Sequence, residues 1–404
     1  MASGQSSLIS RQQAVDEALA RNPSLAAAGA RVEQARANVV VAGAFADASA
    51  FVDVPGQRRI LDPRSGSGGD QGVGVTLPFP GTRGLRRDVA MADLRAAEFD
   101  LYLLRQQTAS QAVQAYDAIL VTLRHREDLQ QNKQLATDFV QKTQARYVGG
   151  TVARVDVIKA ETDLAQAEND LIANDRSLAN ARASLNRILG RQGGAPVQPS
   201  DSLEVPQPLA SLETMATLAQ TSRPDIANVQ AQLESARKAT KLSRRFWLPD
   251  IGLSVTRNDD GESAPTFTSA VAFGLPIFFW QHQRGEVAGA VHREEELTAN
   301  IADIRAQVSL DVESAYANAS TAIRQAEFIR DHLLPQAREV YRVASVSYGL
   351  GGSSALDLLD AKRTLLDAES QYVDALGAAN EALSSLELAV GAPLPPSEPT
   401  EKKQ

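Results

Sequence analysis

Histidine and cysteine side chains, frequent metal ligands and catalytic groups, are sparse in this chain of 404 residues. Cysteine is absent, so no disulfide, thiolate metal site or thiol nucleophile can form. The histidines are His125, His282, His292 and His332, and no two of them have a metal-binding spacing. No phosphate-binding loop, nucleophile elbow or dinucleotide-binding motif occurs. The sequence therefore predicts no enzyme, no metal site and no cofactor.

Carboxylates offer the remaining chemistry, and Asp357 and Asp360 form the most informative pair. Residues three apart share a face of a helix, so the two carboxylates would point the same way. Ser354 is a good helix N-cap, and an acid in the first turn stabilises a helix. A helix cap and an exposed acidic site therefore both remain open as roles. The run Glu294–Glu296, by contrast, is expected to be a solvated helix face.

Composition narrows the function classes further. The formal charge is −8, which argues against a nucleic-acid partner because phosphate binding needs clustered Lys and Arg. No stretch approaches the roughly 20 apolar residues of a membrane-spanning helix, although β-strands in membranes are shorter and only half apolar. The N-terminus has no signal-peptide pattern. For an exported protein, this means that the signal peptide is already absent.

The chain contains a long internal repeat, which indicates duplication of a whole module rather than a short-repeat solenoid. The segments that begin at Tyr147 and Tyr348 align without gaps. The same shift pairs Pro23 with Pro224. The shared positions are Tyr147/Tyr348, Gly150/Gly351, Asp156/Asp357, Ala160/Ala361, Leu164/Leu365, Ala167/Ala368, Glu168/Glu369, Leu185/Leu386 and Gly190/Gly391.

Each repeat is predicted to contain a helix, two strands, a very long helix, a tight turn and another helix. From about Gly285 to Tyr348, apolar residues advance by threes and fours, which indicates a helix that would span roughly 90 Å if continuous. Pro335 predicts a kink or break in it. Helices this long favour a coiled coil or a helical tube over one compact globule.

The strands show a period of two, as in the wall of a transmembrane barrel. Prolines in 191–210 indicate an extended linker between the repeats. The first repeat is predicted over 10–190, with strands near 45–54 and 72–79 and a hairpin tip near 147–154. The second repeat is predicted over 211–392, with strands near 250–257 and 267–278 and a tip near 348–356. A linker or equatorial segment over 191–210 separates the repeats, and a flexible tail covers 393–404.

Aromatic residues cluster where the third strand begins and the fourth strand ends. Phe246 and Trp247 precede one strand, and Phe279 and Trp280 follow the other. In a hairpin these two ends lie side by side, so the four rings would share one level. Aromatic rings at such a level are typical of the membrane interface of barrel proteins. Ordinary packing residues are the alternative interpretation.

The tandem repeat resembles the outer-membrane efflux protein family, the TolC-like exit ducts, over about residues 10 to 392. The most specific matches are the turns at 147–156 and 348–360 and the strand ends at 77–79 and 275–277. The resemblance implies a mainly α fold with a small transmembrane β-barrel. Three chains would share the barrel and a periplasmic α-barrel tunnel, since four strands cannot close alone.

The resemblance also implies roles at the hairpin tips. Asp357 and Asp360 match the aspartates that ring the family's periplasmic aperture. Tyr348 matches the tip tyrosine, and Asp156 matches the aspartate that this tyrosine can bond on the neighbouring hairpin. Ser353 stands where the best-known member has an arginine, which puts an arginine-dependent lock in doubt.

The implied partners are two further copies of the chain, a periplasmic adaptor, an inner-membrane pump of RND type and outer-membrane lipid. The implied location is the bacterial outer membrane, with an extension into the periplasm. The expected function is export of heavy metals or drugs, and Arg83–Gly84 with Arg284–Gly285 favour the heavy-metal branch. A protein-secretion duct of the same fold and a soluble periplasmic coiled-coil adaptor are the alternatives.

Overall fold

Helices make up most of the computed structural model, which describes residues 7–53, 69–207, 209–245, 248–259, 263–274 and 283–395. The helices are α1 Arg11–Arg21, α2 Pro23–Gly43, α3 Thr82–Val148, α4 Arg154–Ile188, α5 Leu212–Ser222, α6 Pro224–Ser243, α7 Gln283–Phe328, α8 Leu334–Leu350 and α9 Ala355–Val390. The strands are β1 Ser7–Ile9, β2 Ser49–Asp53, β3 Asp70–Leu77, β4 Val197–Pro199, β5 Asp250–Asn258 and β6 Thr266–Gly274.

The chain divides into two compact units, and each unit takes segments from both sequence repeats. Unit 1 draws its described residues from 1–27, 102–223 and 305–404, and unit 2 from 28–101 and 224–304. Unit 1 contains α1, α4, α5, α8, α9 and the tip-proximal parts of α3 and α7. Unit 2 contains the sheet formed by β2, β3, β5 and β6.

Strands β2, β3, β5 and β6 form one antiparallel sheet in that order. They overlap the four predicted strand segments. The register places Val73 opposite Val255, and Leu253 opposite Val271, so the apolar positions of neighbouring strands share a face. This face is exposed, and Phe267 on the edge strand β6 is 74% exposed. Within the described residues, β2 and β6 each pair on one side only.

Among the described helices, none combines the length and apolarity required to cross a membrane.

Two short strands of unit 1, β1 and β4, pair in parallel, and the sequence analysis did not predict this pairing. β1 pairs with β4, which lies inside the proline-rich segment expected to be an extended linker. Tyr116 on α3 is fully buried there, and its hydroxyl donates to the backbone oxygen of Ile9 at 2.9 Å. Arg11 donates to the carboxylate of Asp117 at 2.6 Å. These contacts hold the chain's beginning and its middle segment against α3.

Pro335 changes the helix without ending it. A π-helical segment, Ile329–Leu333, joins α7 to α8, and the Leu334 N–H bonds to the Ile329 oxygen. Proline has no N–H to give to the preceding turn, and its ring crowds the carbonyl four residues back. A wider turn relieves that crowding, so the kink or break expected here takes the form of a π-helical insertion.

Candidate functional site at the hairpin tips

The two helical hairpins of unit 1 end in the same kind of turn. Gly150 and Gly351 have positive φ of 74° and 83°, the left-handed conformation that glycine adopts without a Cβ clash. After each glycine, the next N–H reaches back to the last helical turn: Thr151 bonds to the Arg146 oxygen, and Gly352 to the Ser347 oxygen, both at 2.9 Å. The sequence repeat therefore reappears as a repeated helix cap.

Asp357 is the third residue of α9 and completes a capping box with the N-cap residue Ser354. Its Oδ2 accepts from the N–H and the hydroxyl of Ser354, at 2.9 and 2.8 Å, and its own N–H donates to the Ser354 hydroxyl at 3.2 Å. These bonds from Ser354 hold the pKa of the Asp357 carboxyl below its ordinary value. In a ring of several copies, neighbouring carboxylates would raise the pKa of Asp357. The bonds from Ser354 act in the opposite direction.

The side chains of Asp357 and Asp360 are both exposed, while Leu358 and Leu359 between them are buried. The buried leucines fix the rotation of α9, because residues one or two positions away on a helix cannot share their face. The two carboxylates therefore point away from the packed hairpins. This arrangement is compatible with both the capping role and an exposed acidic site.

Tyr348 is an anchor between the hairpins, with only 2% of its surface exposed. Its ring lies edge-on to Phe139, with centroids 5.6 Å apart. Its hydroxyl lies 3.1 Å from the Thr143 hydroxyl. Arg146 donates to the backbone oxygen of Tyr348 at 2.8 Å, and its guanidinium carbon lies 4.7 Å from the ring centroid. All three partners are on α3.

The other two predicted tip residues make different contacts in the described chain. The N–H of Asp156 bonds to the Ala153 oxygen in the first turn of α4, and its half-buried side chain makes no hydrogen bond with Tyr348 there. The hydroxyl of Ser353 donates to the Ala344 oxygen at 3.4 Å. Within one chain, Tyr348 is therefore held by Thr143 and Arg146.

Lys362 and Asp163 form a buried ion pair that sequence reasoning missed. Nζ of Lys362 lies 2.6 Å from Oδ2 of Asp163, which joins α9 to α4. A signal was present: Lys362 falls in the apolar row that includes Leu358 and Leu365. A lysine in such a row requires a buried acceptor, although the sequence does not say which one.

The remaining predicted site residues are the four aromatic residues expected at the membrane interface. Phe246, Trp247, Phe279 and Trp280 lie outside the described residues. His125 lies 2.9 Å from the Asp374 carboxylate. In the ranges that the structure describes, no group of three or more histidine, aspartate or glutamate side chains is arranged to hold a metal ion.

Sequence comparison matches both repeats to one family. The family described as outer membrane efflux protein matches residues 14–191 and 216–392. The chain is 22% identical over 320 residues to the cobalt-zinc-cadmium resistance protein CzcC of Cupriavidus metallidurans, across 79% of this chain and 76% of that protein. It is 24% identical over 389 residues to the pyoverdine export outer membrane protein OpmQ of Pseudomonas aeruginosa, across 89% and 80%.

Comparison with solved structures gives the same result for the fold. The crystal structure of the Campylobacter jejuni CmeC outer membrane channel matches with a TM-score of 0.80 and 19% identity, over 97% of this chain and 88% of that chain. At this identity the likeness carries the fold alone. It confirms the predicted fold class, and the sequence match confirms the resemblance inferred from the tip turns and strand ends.

Proposed function

This chain belongs to the outer membrane efflux protein family, and on that premise we propose that three copies of it form the exit duct of a tripartite efflux system. The duct lies in the bacterial outer membrane and extends into the periplasm. Its helical hairpin tips form the periplasmic entrance. The single observation that carries this proposal is the family match across both repeats.

The four-stranded sheet of unit 2 supports assembly from several copies. Its edge strands β2 and β6 each have one unpaired side within the described residues. Unpaired backbone groups cannot face lipid, so a sheet in a membrane must close on itself. Three copies, each giving four strands, would close such a barrel. The exposed apolar face suits contact with lipid, whereas a soluble periplasmic adaptor would have no use for it.

The partners of the duct are a periplasmic adaptor and an inner-membrane pump of RND type. In this proposal the pump selects the cargo and the duct conducts it, so no cargo-binding pocket is required. Asp357 and Asp360 would form an acidic ring at the entrance, because each chain holds both carboxylates exposed on α9. Such rings favour cations and bind multivalent ones.

The gate lies at the same tips. Within one chain Tyr348 anchors the second hairpin to the first, and in the assembled duct Tyr348 and Asp156 would hold neighbouring tips together by hydrogen bonds until an adaptor displaces them. Ser353 cannot replace an arginine as a charged lock, since its hydroxyl reaches only a backbone oxygen. Without an arginine at this position, the lock between neighbouring tips is expected to be weaker.

We propose heavy-metal or drug export as the cargo class. The relatives reported above are named for cobalt, zinc and cadmium resistance in one case and for pyoverdine export in the other. A duct for protein secretion is the alternative within the same fold. A strain without this gene, challenged separately with cobalt, zinc, cadmium and organic drugs, distinguishes these cargoes by which sensitivity the restored gene reverses.

The duct itself is tested with the purified full chain. We expect extraction to require detergent and the protein part of the particle to have three times the 43.2 kDa of one chain. We also expect ion conductance in a planar lipid bilayer. Release without detergent would favour the soluble adaptor, and a monomeric mass or an absence of conductance would contradict the trimeric duct.

A further inference from the structure

Five arginine residues flank one end of the four-stranded sheet in unit 2. They are Arg83, Arg86 and Arg87 in the first two turns of α3, and Arg244 and Arg245 between α6 and β5. Strand β3 leads into α3, and the pairing of Leu77 with Ile251 places the end of β3 beside the beginning of β5. The five arginines therefore gather at the end of the sheet from which the helices of unit 2 extend.

Two of these arginines contact the end of α2. The guanidinium carbon of Arg83 lies 3.9 Å from the centroid of the Phe45 ring, which is a cation–π contact. Gly43 is the last residue of α2, and a Cβ at this position would lie 3.3 Å from Cδ of Arg87. The end of α2 and the beginning of α3 therefore form one continuous surface.

Two other arginines, Arg86 and Arg245, line a cavity of about 350 Å³ beside the turn that precedes α3. A Cβ at Gly81, in that turn, would lie 2.7 Å from Nη1 of Arg245. Asp250 and Glu286 line the same cavity, so two positive and two negative groups face it. An anionic ligand would therefore be bound by the three arginines outside the cavity.

Arginines farther from the sheet in unit 2 are paired with glutamates. Nη1 of Arg36 on α2 lies 2.7 Å from Oε1 of Glu33, and Nη1 of Arg95 on α3 lies 3.0 Å from Oε2 of Glu234. By contrast, the five arginines at the sheet end form no ion pair within the residues that the structure describes. The neighbouring segment 275–282, which lies outside those residues, contains no aspartate or glutamate in its sequence. The charges outside the cavity are therefore available to another molecule.

Exposed apolar side chains occur on the same surface. Val40 and Val41, in the last turn of α2, are each 72% exposed, and Phe45 is 64% exposed. Exposed apolar groups beside positive charges are typical of protein surfaces that lie in a membrane interface, where acyl chains cover the apolar groups and phosphates approach the charges. A soluble anion would not require the apolar side chains.

We propose that Arg83, Arg87 and Arg244 bind the headgroup phosphates of anionic phospholipids, with the exposed apolar side chains beside them in contact with the acyl chains. This proposal rests on the outer-membrane duct proposed above and names the lipid class that its periplasmic surface binds. In that duct the sheet spans the membrane, so its helix-bearing end lies at the level of the headgroups. A guanidinium can donate two parallel hydrogen bonds to a phosphate, and Arg83 can do so while its face is stacked on Phe45.

Native mass spectrometry of the full chain in detergent tests this site by titration with phosphatidylglycerol and with phosphatidylcholine of the same acyl chains. We expect the wild type to bind phosphatidylglycerol more tightly. Arg83→Gln with Arg87→Gln should lower the apparent affinity for phosphatidylglycerol roughly 30-fold, since each charge near anionic lipid contributes about fivefold. The matched control is Arg36→Gln with Arg95→Gln, which removes two arginines already paired with glutamates and should leave the affinity near the wild-type value.

Equal affinity of the wild type for the two lipids would overturn the proposal without any variant. Wild-type affinity in the glutamine variant would also overturn it, as would displacement of phosphatidylglycerol by inorganic phosphate at the same concentration, which indicates a site for free phosphate.

Arg83→Lys with Arg87→Lys keeps both charges and should keep most of the affinity, and a loss as large as in the glutamine variant would show that charge is not what the site recognises. The same spectra give the mass of the assembly. A glutamine variant that no longer forms trimers would assign these arginines to contacts between copies instead of lipid. A wild-type trimer without lipid preference rejects this site and leaves the proposed duct intact, whereas a monomeric wild type rejects the duct itself.

Discussion

Nζ of Lys362 donates to Oδ2 of Asp163 at 2.6 Å, and this ion pair ties the second hairpin of the chain to the first. The Lys362 side chain is only 4% exposed, whereas that of Asp163 is 23% exposed. A buried ammonium group loses its hydration and depends on its partner, but a partly exposed carboxylate retains some contact with water. The two residues should therefore respond unequally to substitution.

Asp163→Ala should destabilise the tips more than Lys362→Met does. Removing one partner of a buried pair costs about 3–5 kcal/mol, and we expect the lower end because Asp163 is partly exposed. Lys362→Met retains most of the side-chain volume and leaves a carboxylate that water can reach. Hydrogen exchange of the amides in 355–365 measures the local opening free energy. Exposed Glu161→Ala on α4 is the control, and equal losses in the two variants would contradict this explanation.

Arg146→Ala should increase the fraction of time that single channels are open. Arg146 makes a charge-assisted bond to the Tyr348 oxygen, and such bonds contribute about 1.5–3 kcal/mol. Within one chain, Tyr348→Phe loses the contact with the Thr143 hydroxyl, about 1 kcal/mol, and should open the channel less. Arg342→Ala on the exposed side of α8 serves as the control. If Arg146→Ala left the open fraction of single channels unchanged, Arg146 would have no role in gating.

The elements of the fold could be predicted because their signals are local. Alternating apolar residues indicate the strands, and the glycines at 150 and 351 mark turns that need a positive φ. The strand β4 escaped prediction because its few residues lie among prolines, and only pairing with β1 makes it a strand. A helix can adapt to proline in several ways, so the sequence could not specify the π-helical segment before Pro335.

The contacts of the candidate site depend on partners distant in sequence. The family resemblance predicted a role for Tyr348. The sequence could not show that Thr143 and Arg146 hold Tyr348, because those two residues come from the other repeat. The pairing of Lys362 with Asp163 is equally non-local. Exposure also required the structure: Val155 and Ile158 are apolar but exposed, because the side of α4 that carries Val157 and Ala160 is the buried one.

The proposed acidic ring predicts block by a trivalent cation added on the periplasmic side of single channels. The double variant Asp357→Ala with Asp360→Ala should abolish the block, because both exposed carboxylates are removed. Asp360→Ala alone should weaken it without disturbing the bonds between Ser354 and Asp357. Glu161→Ala, on the exposed side of α4, should leave the block unchanged. A double variant blocked as tightly as wild type would leave these aspartates with a capping role only.

The pH at which this block disappears should depend on Ser354. Its two bonds lower the pKa of Asp357, so the charge and the cap are present above the ordinary carboxyl pKa and are lost as pH falls through the lowered value. Without the Ser354 hydroxyl, the pKa of Asp357 rises and the charge is lost at a higher pH. In the proposed ring, neighbouring carboxylates would raise the pKa of Asp357 in wild type and variant alike, so the difference between the two reports on Ser354.

Ser354→Ala should therefore shift the midpoint of the block toward higher pH, as measured by single-channel titration with a trivalent cation. Because this change also removes an N-cap, which costs about 1 kcal/mol, Ser354→Thr is the matched variant: it retains the oxygen and should keep the wild-type midpoint. Ser353→Ala should also keep it, since the Ser353 hydroxyl bonds to Ala344 instead. An unshifted midpoint in Ser354→Ala, with the block itself intact, would show that the block does not titrate through Asp357.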